Sequence, residues 1–193
     1  MTPRGEFCRD EHPRPDTTVE ALAELPTVYG SKTVTAGNAT GLNDGAAAVL
    51  LMRESRAHSV GLVPLAHLLS YAAISGEPRR SVEHPATAIR AALVRAEVNP
   101  RDISLFQMNE PYAAVPLVST RGLADLTGCT LPEVRAITNV NGDAIAIGHP
   151  IGASGARVLM SLIYELRRRS GGYGAAAICG GIGQSDAFVV RVP

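Results

Sequence analysis

Three side chains in this sequence stand where residue type and spacing allow chemistry: His149, Cys179 and Asn109. His149 lies within residues 139–157, Asn139-Val140-Asn141-Gly142-Asp143-Ala144-Ile145-Ala146-Ile147-Gly148-His149-Pro150-Ile151-Gly152-Ala153-Ser154-Gly155-Ala156-Arg157, where glycines surround one His-Pro pair. From Ser154 onward Val158, Leu159, Leu162, Ile163 and Leu166 recur at helical spacing, and Gly171 and Gly172 stop the pattern. His149 therefore feeds a helix N-terminus, where unpaired N–H groups and a partial positive charge disfavour a protonated imidazole. A neutral imidazole held there is suited to act as a general base. A hydrogen-bonded structural histidine in a glycine-rich turn fits the spacing equally well.

Cys179 ends the apolar run Ala175-Ala176-Ala177-Ile178 and is followed by Gly180-Gly181-Ile182-Gly183. A thiol at a strand end beside backbone N–H groups is a reactive-cysteine candidate, with a buried inert cysteine as the alternative. Asn109 opens Asn109-Glu110-Pro111-Tyr112, where a strand hands over to a helix and open α/β sheets bind their ligands. A plain helix cap is the other reading. Ala39-Thr40-Gly41-Leu42-Asn43-Asp44-Gly45 is a dense turn whose short polar side chains suit an extended ligand, or cap their own backbone.

The elements that must position these groups alternate in type. Residues 1–32 are rich in proline and charge around a short helical pattern at 18–25, and read as an extended arm. Residues 33–38 are β-prone, 46–52 form a small-residue and aliphatic run, and 53–60 are a charged helical segment. Residues 62–74 read as a buried strand, 85–97 as an amphipathic helix and 103–106 as a buried strand. A helix follows over 113–126 with Pro116 near its first turn, then a strand at 137–140, and an alternating strand at 186–192 closes the chain. Strand and helix units in alternation predict an α/β layered domain.

Composition narrows the function classes. At 193 residues and 46% hydrophobic content, the chain can bury a core. Its 18 basic residues balance 18 acidic ones, which argues against nucleic-acid or anionic-membrane partners. No apolar run reaches the roughly 20 residues of a membrane span, and Met1-Thr2-Pro3-Arg4 does not begin a signal peptide, so a cytoplasmic protein is expected. Cys8, Cys129 and Cys179 are too scattered for a disulfide framework or a metal site.

Taken in order, Asp10-Glu11-His12-Pro13-Arg14-Pro15-Asp16-Thr17-Thr18, residues 34–45, Asn109-Glu110, Gly148-His149-Pro150 with Gly152, Ser154 and Gly155, and Cys179-Gly180-Gly181 closely resemble the C-terminal half of the thiolases, the acetyl-CoA acetyltransferase and 3-ketoacyl-CoA thiolase family. The resemblance runs from about Asp10 to Pro193. It implies a layered α-β-α domain with a mixed sheet over residues 33–193, with 1–32 as the tail of a CoA-binding loop region. It also implies roles. His149 activates a nucleophilic cysteine and helps bind a thioester oxygen, and Cys179 moves the α-carbon proton. Asn109 holds a water that completes an oxyanion site with His149, and the N–H of Gly181 serves a second oxyanion site. Ala39, Thr40 and Gly41 lie along the pantetheine arm of coenzyme A or acyl-CoA, which is a substrate; no covalently bound cofactor and no metal are implied.

Departures from the pattern are Pro111 and Tyr112 after Asn109-Glu110, Asp143 in place of a common Gly, and the order of glycines after Cys179. The nucleophile's motif surrounds neither Cys8 nor Cys129. In the family fold the helix after the His motif lies between the sheets of two halves, so the resemblance implies a partner chain equivalent to the N-terminal half, in a hetero-oligomer such as a dimer of heterodimers. A non-catalytic acyl-CoA-binding or scaffolding subunit of a lipid-metabolism complex is the alternative. A dinucleotide-binding domain is disfavoured by the lack of Gly-x-Gly-x-x-Gly after the first strand, and a ketoacyl synthase by Asn109 where a second histidine is needed.

Overall fold

The computed structural model describes residues 5, 6 and 8–193, so Met1 to Arg4 of the leader reading lie outside the described residues. Short helices α1 (Val19–Ala23) and α2 (Glu54–Ser59) precede the edge strand β1 (His67–Ser75). Helix α3 (His84–Ala96), strand β2 (Ile103–Met108), and helices α4 (Ala114–Thr127) and α5 (Leu131–Ala136) follow. The chain closes with a single-turn helix α6 (Ala144–Ile147), the long α7 (Ile151–Arg168), and strands β3 (Gly172–Cys179) and β4 (Gln184–Val192).

The four strands form one mixed sheet in the order β1-β4-β3-β2, with β2 and β3 parallel and the other pairs antiparallel. Strand alternation splits the core in two. Ala175, Ala177, Ala187 and Val189 join Phe106 and Met108 under α3, α4 and α5, while Ala176, Val190 and Val192 join Leu105 under α7. Helices therefore cover both faces of the sheet, which agrees with the α/β layered domain expected from the alternation of elements and with the α-β-α layering that the resemblance implied.

Helix α7 buries Val158, Leu162 and Leu166, one face at i, i+4 and i+8. It sits close because β3 is built from small residues: a Cβ on Gly174 would fall 2.7 Å from Leu166 and 2.8 Å from Leu162. The opposite side of α7 is open, with Ile151 and Tyr164 exposed.

Several elements differ from the sequence reading. Residues 62–66 lie outside the strand, and β1 is an edge strand in which only Ala72 is buried while Leu68, Leu69 and Tyr71 face solvent, because β4 flanks it on one side alone. The β-prone stretch 33–38 forms turns and a single antiparallel bridge, Thr27 to Thr35. The strand expected at 137–140 is reduced to one parallel bridge between Thr138 and Phe106. Asn139 breaks it by taking a φ of 47°, and its side-chain amide replaces the lost backbone pairing: Nδ2 donates to the Met108 carbonyl at 2.9 Å and Oδ1 accepts from the Met108 N–H at 2.7 Å. Helix α7 starts three residues before Ser154, directly after Pro150. Residues 46–52 form no described helix or strand and expose Val49, Leu50, Leu51 and Met52. No helix among the described residues is long and apolar enough to cross a membrane.

Glu165 ties α7 to the loop before α6. Its carboxylate accepts from Asn141 Nδ2 at 3.0 Å, Arg168 Nε at 2.9 Å and Arg169 Nε at 2.6 Å, and these bonds, Arg168 first, lower its pKa from 4.5 to about 2. A depressed carboxylate stabilises the fold above its ordinary pKa and loses that contribution as pH falls through the folded value. Urea midpoints of the parent should fall between pH 4.5 and about 2, and the midpoints of Glu165→Gln should fall less steeply over that window. Leu162→Ala, which empties a fully buried site under α7, should cost about 2–5 kcal/mol in urea unfolding.

Candidate functional site

The C-terminal ends of the parallel strands β2 and β3 lie side by side, with Met108 paired to Ala177 and the Asn109 N–H bonded to the Ala177 carbonyl at 3.0 Å. This brings Asn109 and Cys179 to the same edge of the sheet. His149 reaches that edge from the loop between α6 and α7. Its Nε2 stands 3.4 Å from Asn109 Nδ2, and its Nδ1 stands 2.6 Å from Ser154 Oγ.

Ser154 Oγ also donates to the Pro150 carbonyl at 3.1 Å. A hydroxyl has one proton, so with both contacts made Ser154 accepts from His149 Nδ1–H. The network thus assigns the Nδ1–H tautomer and leaves the Nε2 lone pair toward the Asn109 amide and the sheet edge. Burial lowers the His149 pKa most, the Arg157 guanidinium lowers it further, and Asp143 offsets part of this. The sequence reading credited the helix end; desolvation and one cation account for the direction here.

Residues 38–43 run along the same edge. Ala39 bridges Tyr112, Thr40 N–H donates to the Pro111 carbonyl at 3.1 Å, and Leu42 bridges His149. Thr40 Oγ1 donates to the Ala144 carbonyl at 2.7 Å, and Asn43 Oδ1 accepts from the His149 N–H at 3.1 Å. Close approach here requires Gly148, whose φ is +93° and whose Cβ would lie 2.5 Å from the Asn43 amide. Ala39, Thr40, Gly41, Asn109 and His149 are thereby brought together, and the Pro111 carbonyl joins the contact.

Cys179 and Gly181 share this edge at the end of β3, but among the described residues no side-chain hydrogen bond joins Cys179 to His149 or Asn109. Burial raises the Cys179 pKa, so the thiol is held protonated. Gly181 stands in the turn to β4 with open space where a Cβ would point. Glu110, its carboxyl also pushed up by burial, accepts from Asn139 Nδ2 at 2.7 Å. Cys8 and Cys129 are exposed free thiols, and the described residues hold no cluster of metal-ligating side chains.

The sequence reading did not single out Arg157 or give Ser154 its role as a partner of His149. Arg157 stands seven residues after Pro150 and Ser154 four, spacings that return to the start of α7 and were the signal available.

The description "Thiolase, C-terminal domain" matches residues 62–192 and "Thiolase, N-terminal domain" matches residues 3–55, and the chain belongs to the thiolase family. A probable acetyl-CoA acetyltransferase of Mycolicibacterium smegmatis is 43% identical over 187 residues, 96% of this chain and 46% of the relative. A 3-ketoacyl-CoA thiolase of Escherichia coli is 42% identical over 188 residues, 95% of this chain and 47% of the relative. Human mitochondrial 3-ketoacyl-CoA thiolase in complex with CoA superposes with a TM-score of 0.87 at 39% identity, covering 95% of this chain and 45% of that one. The Bacillus anthracis acetyl-CoA acetyltransferase gives 0.86 at 39%, covering 97% and 46%. The chain thus spans about half the length of the relatives it matches.

Ser154→Ala should leave His149 Nδ1 without its acceptor. Nitrogen-15 imidazole spectra should then show the Nε2–H tautomer gaining population, and urea unfolding should show a loss of about 1–2 kcal/mol.

Proposed function

We propose that this chain carries the proton-transfer half of a thiolase active site and works with a polypeptide equivalent to the N-terminal half, which supplies the nucleophilic cysteine. The reaction is thiolytic cleavage of a 3-ketoacyl-CoA or the reverse Claisen condensation. The observation that carries this reading is the meeting of His149, Asn109 and residues 39–41 at the sheet edge where Cys179 ends β3.

His149, neutral with an unprotonated Nε2, takes the proton of the partner's thiol as that sulfur attacks the 3-keto carbon. The C2–C3 bond then breaks, leaving the acyl group on the partner's sulfur, and the acetyl-CoA enolate takes its proton from Cys179. The CoA thiol next gives its proton to the Cys179 thiolate as its sulfur attacks that acyl carbon, and the departing cysteine sulfur takes back the proton held by His149. A thiol whose pKa is raised by burial, as at Cys179, keeps its proton at neutral pH, and its thiolate is the stronger base for the reverse step. Asn109 and His149 serve one oxyanion site and the Gly181 N–H another, where fixed donors oppose developing charge. Ala39, Thr40 and Gly41 border the pantetheine arm. The small side chains of Ala39 and Thr40 suit that contact, and Gly41 lets the His12 ring approach the same stretch closely.

Support for a partner comes from the open side of α7 and from residues 46–52, which expose aliphatic side chains and fall inside the stretch matched as thiolase N-terminal domain. On this reading residues 1–32 act as the tail of the CoA-binding loop region, and the C-terminal-type domain expected over 33–193 has its family match at 62–192, preceded by a stretch matched as N-terminal domain.

The test is to purify the chain with an N-terminal-half thiolase polypeptide and measure acetoacetyl-CoA thiolysis. The complex should be active, and His149→Ala and Cys179→Ser should each lower kcat by about 10²–10⁴-fold. A complex that forms and cleaves nothing, or that is indifferent to both substitutions, overturns the catalytic reading in favour of a non-catalytic acyl-CoA-binding subunit.

A further inference from the structure

Behind the pair formed by Asn109 and His149 lies a second set of side chains. Asp143 is completely buried, and its two oxygens are fully engaged. Arg157 Nη2 donates to Oδ1 at 2.8 Å and Nη1 to Oδ2 at 3.1 Å, a two-pronged contact. Gln107 Nε2 donates to Oδ2 at 2.7 Å, and the Ala144 N–H to Oδ1 at 2.7 Å. Arg157 Nη2 then reaches past the carboxylate to Asn109 Oδ1 at 3.2 Å.

The chemistry of that last contact is directional. A guanidinium has donors and no acceptor, so only the oxygen of the Asn109 amide can face it. The Nδ2 end is thereby turned toward His149 Nε2. If the amide flipped, NH2 would oppose N–H of Arg157 and a carbonyl oxygen would oppose the imidazole lone pair. Asn109 is itself buried, with 1% of its surface exposed, so no water competes to hold it in the other sense. Asp143 is the anchor, because a guanidinium left unpaired at this depth turns to water. Gln107, two residues before Asn109 in β2, is neutral and adds a donor to Asp143 without competing for Arg157.

We propose that Asp143 and Arg157 form a positioning pair that fixes the Asn109 amide with its N–H2 group toward His149 and the oxyanion site. This rests on the reading of Asn109 and His149 as oxyanion-site partners and names what orients them. Neither Asp143 nor Arg157 is a catalytic residue on this account; both act through Asn109.

A lysine at 157 keeps the charge opposite Asp143 and loses the planar fork that spans Asp143 and Asn109 together. The discriminating experiment is hydrogen exchange of the Asn109 side-chain amide by nitrogen-15 NMR on the full chain, with urea unfolding alongside. Arg157→Lys should keep the unfolding midpoint near that of the parent while the Asn109 amide exchanges about tenfold faster, as expected for loss of one charge-assisted hydrogen bond. Asp143→Asn should also speed exchange, and where it unfolds the chain Arg157→Lys decides alone. In the active complex, Arg157→Lys should lower kcat with KM for the acyl-CoA held, and should have no further effect in an Asn109→Ala background. An Asn109 amide that exchanges at the parent rate in Arg157→Lys overturns the proposal. So does a loss of kcat that persists at full size without Asn109. The exchange measurement needs no turnover, so an inactive complex leaves it decisive.

Discussion

One buried carboxylate ties the molecule together. An ionised Asp143 with no access to water is tolerable only if every lone pair finds a donor, and its four donors come from three directions. Gln107 belongs to β2, Ala144 opens α6, and Arg157 lies two turns into α7. The strand, the loop and the helix are thereby locked in one relative arrangement. The two pieces that carry Asn109 and His149 are adjacent to this lock, so the 3.4 Å between their nitrogens is inherited from it. Helix packing under Leu162 and Leu166 sets the depth of α7, and the ion pair sets its rotation.

Much of the architecture was legible from the chain itself. The long α7 announced its buried face through Val158, Leu162 and Leu166, and Pro116 fell in the first turn of α4 as a proline in a helix must. His149 stood in the loop before α7, as the glycines and Pro150 indicated. What periodicity misread were strands. Residues 137–140 look like a strand, yet Asn139 uses a side-chain amide where a strand uses its backbone, and no propensity encodes that exchange. The leucines at 68 and 69 look buried because apolar runs usually are, but β1 is an edge, and position in a sheet is a property of long-range order.

The site was legible as a set of separate residues and only partly as a constellation. Each of Asn109, His149 and Cys179 announced itself by ending a strand or starting a helix. That residues 39–43 thread between the Pro111 turn and the His149 loop depends on contacts more than a hundred positions apart along the sequence, such as Thr40 Oγ1 to the Ala144 carbonyl. Arg157 was hidden because an arginine in an amphipathic helix reads as a solvated charge. Its meaning appears only once Asp143 is seen to have no water.

The free stretch at 46–52 bears on how such a chain behaves in time. It is aliphatic, uncharged and free of proline, and its backbone groups have no partner among the described hydrogen bonds. A segment of that kind pairs with whatever strand arrives first, including its own copy on another molecule. On the proposed reading, docking of an N-terminal-half sheet competes with self-association, and the two rates scale with different concentrations. For a chain that needs such a partner, yield of the folded protein is set by stoichiometry and order of synthesis as much as by the stability built into its core.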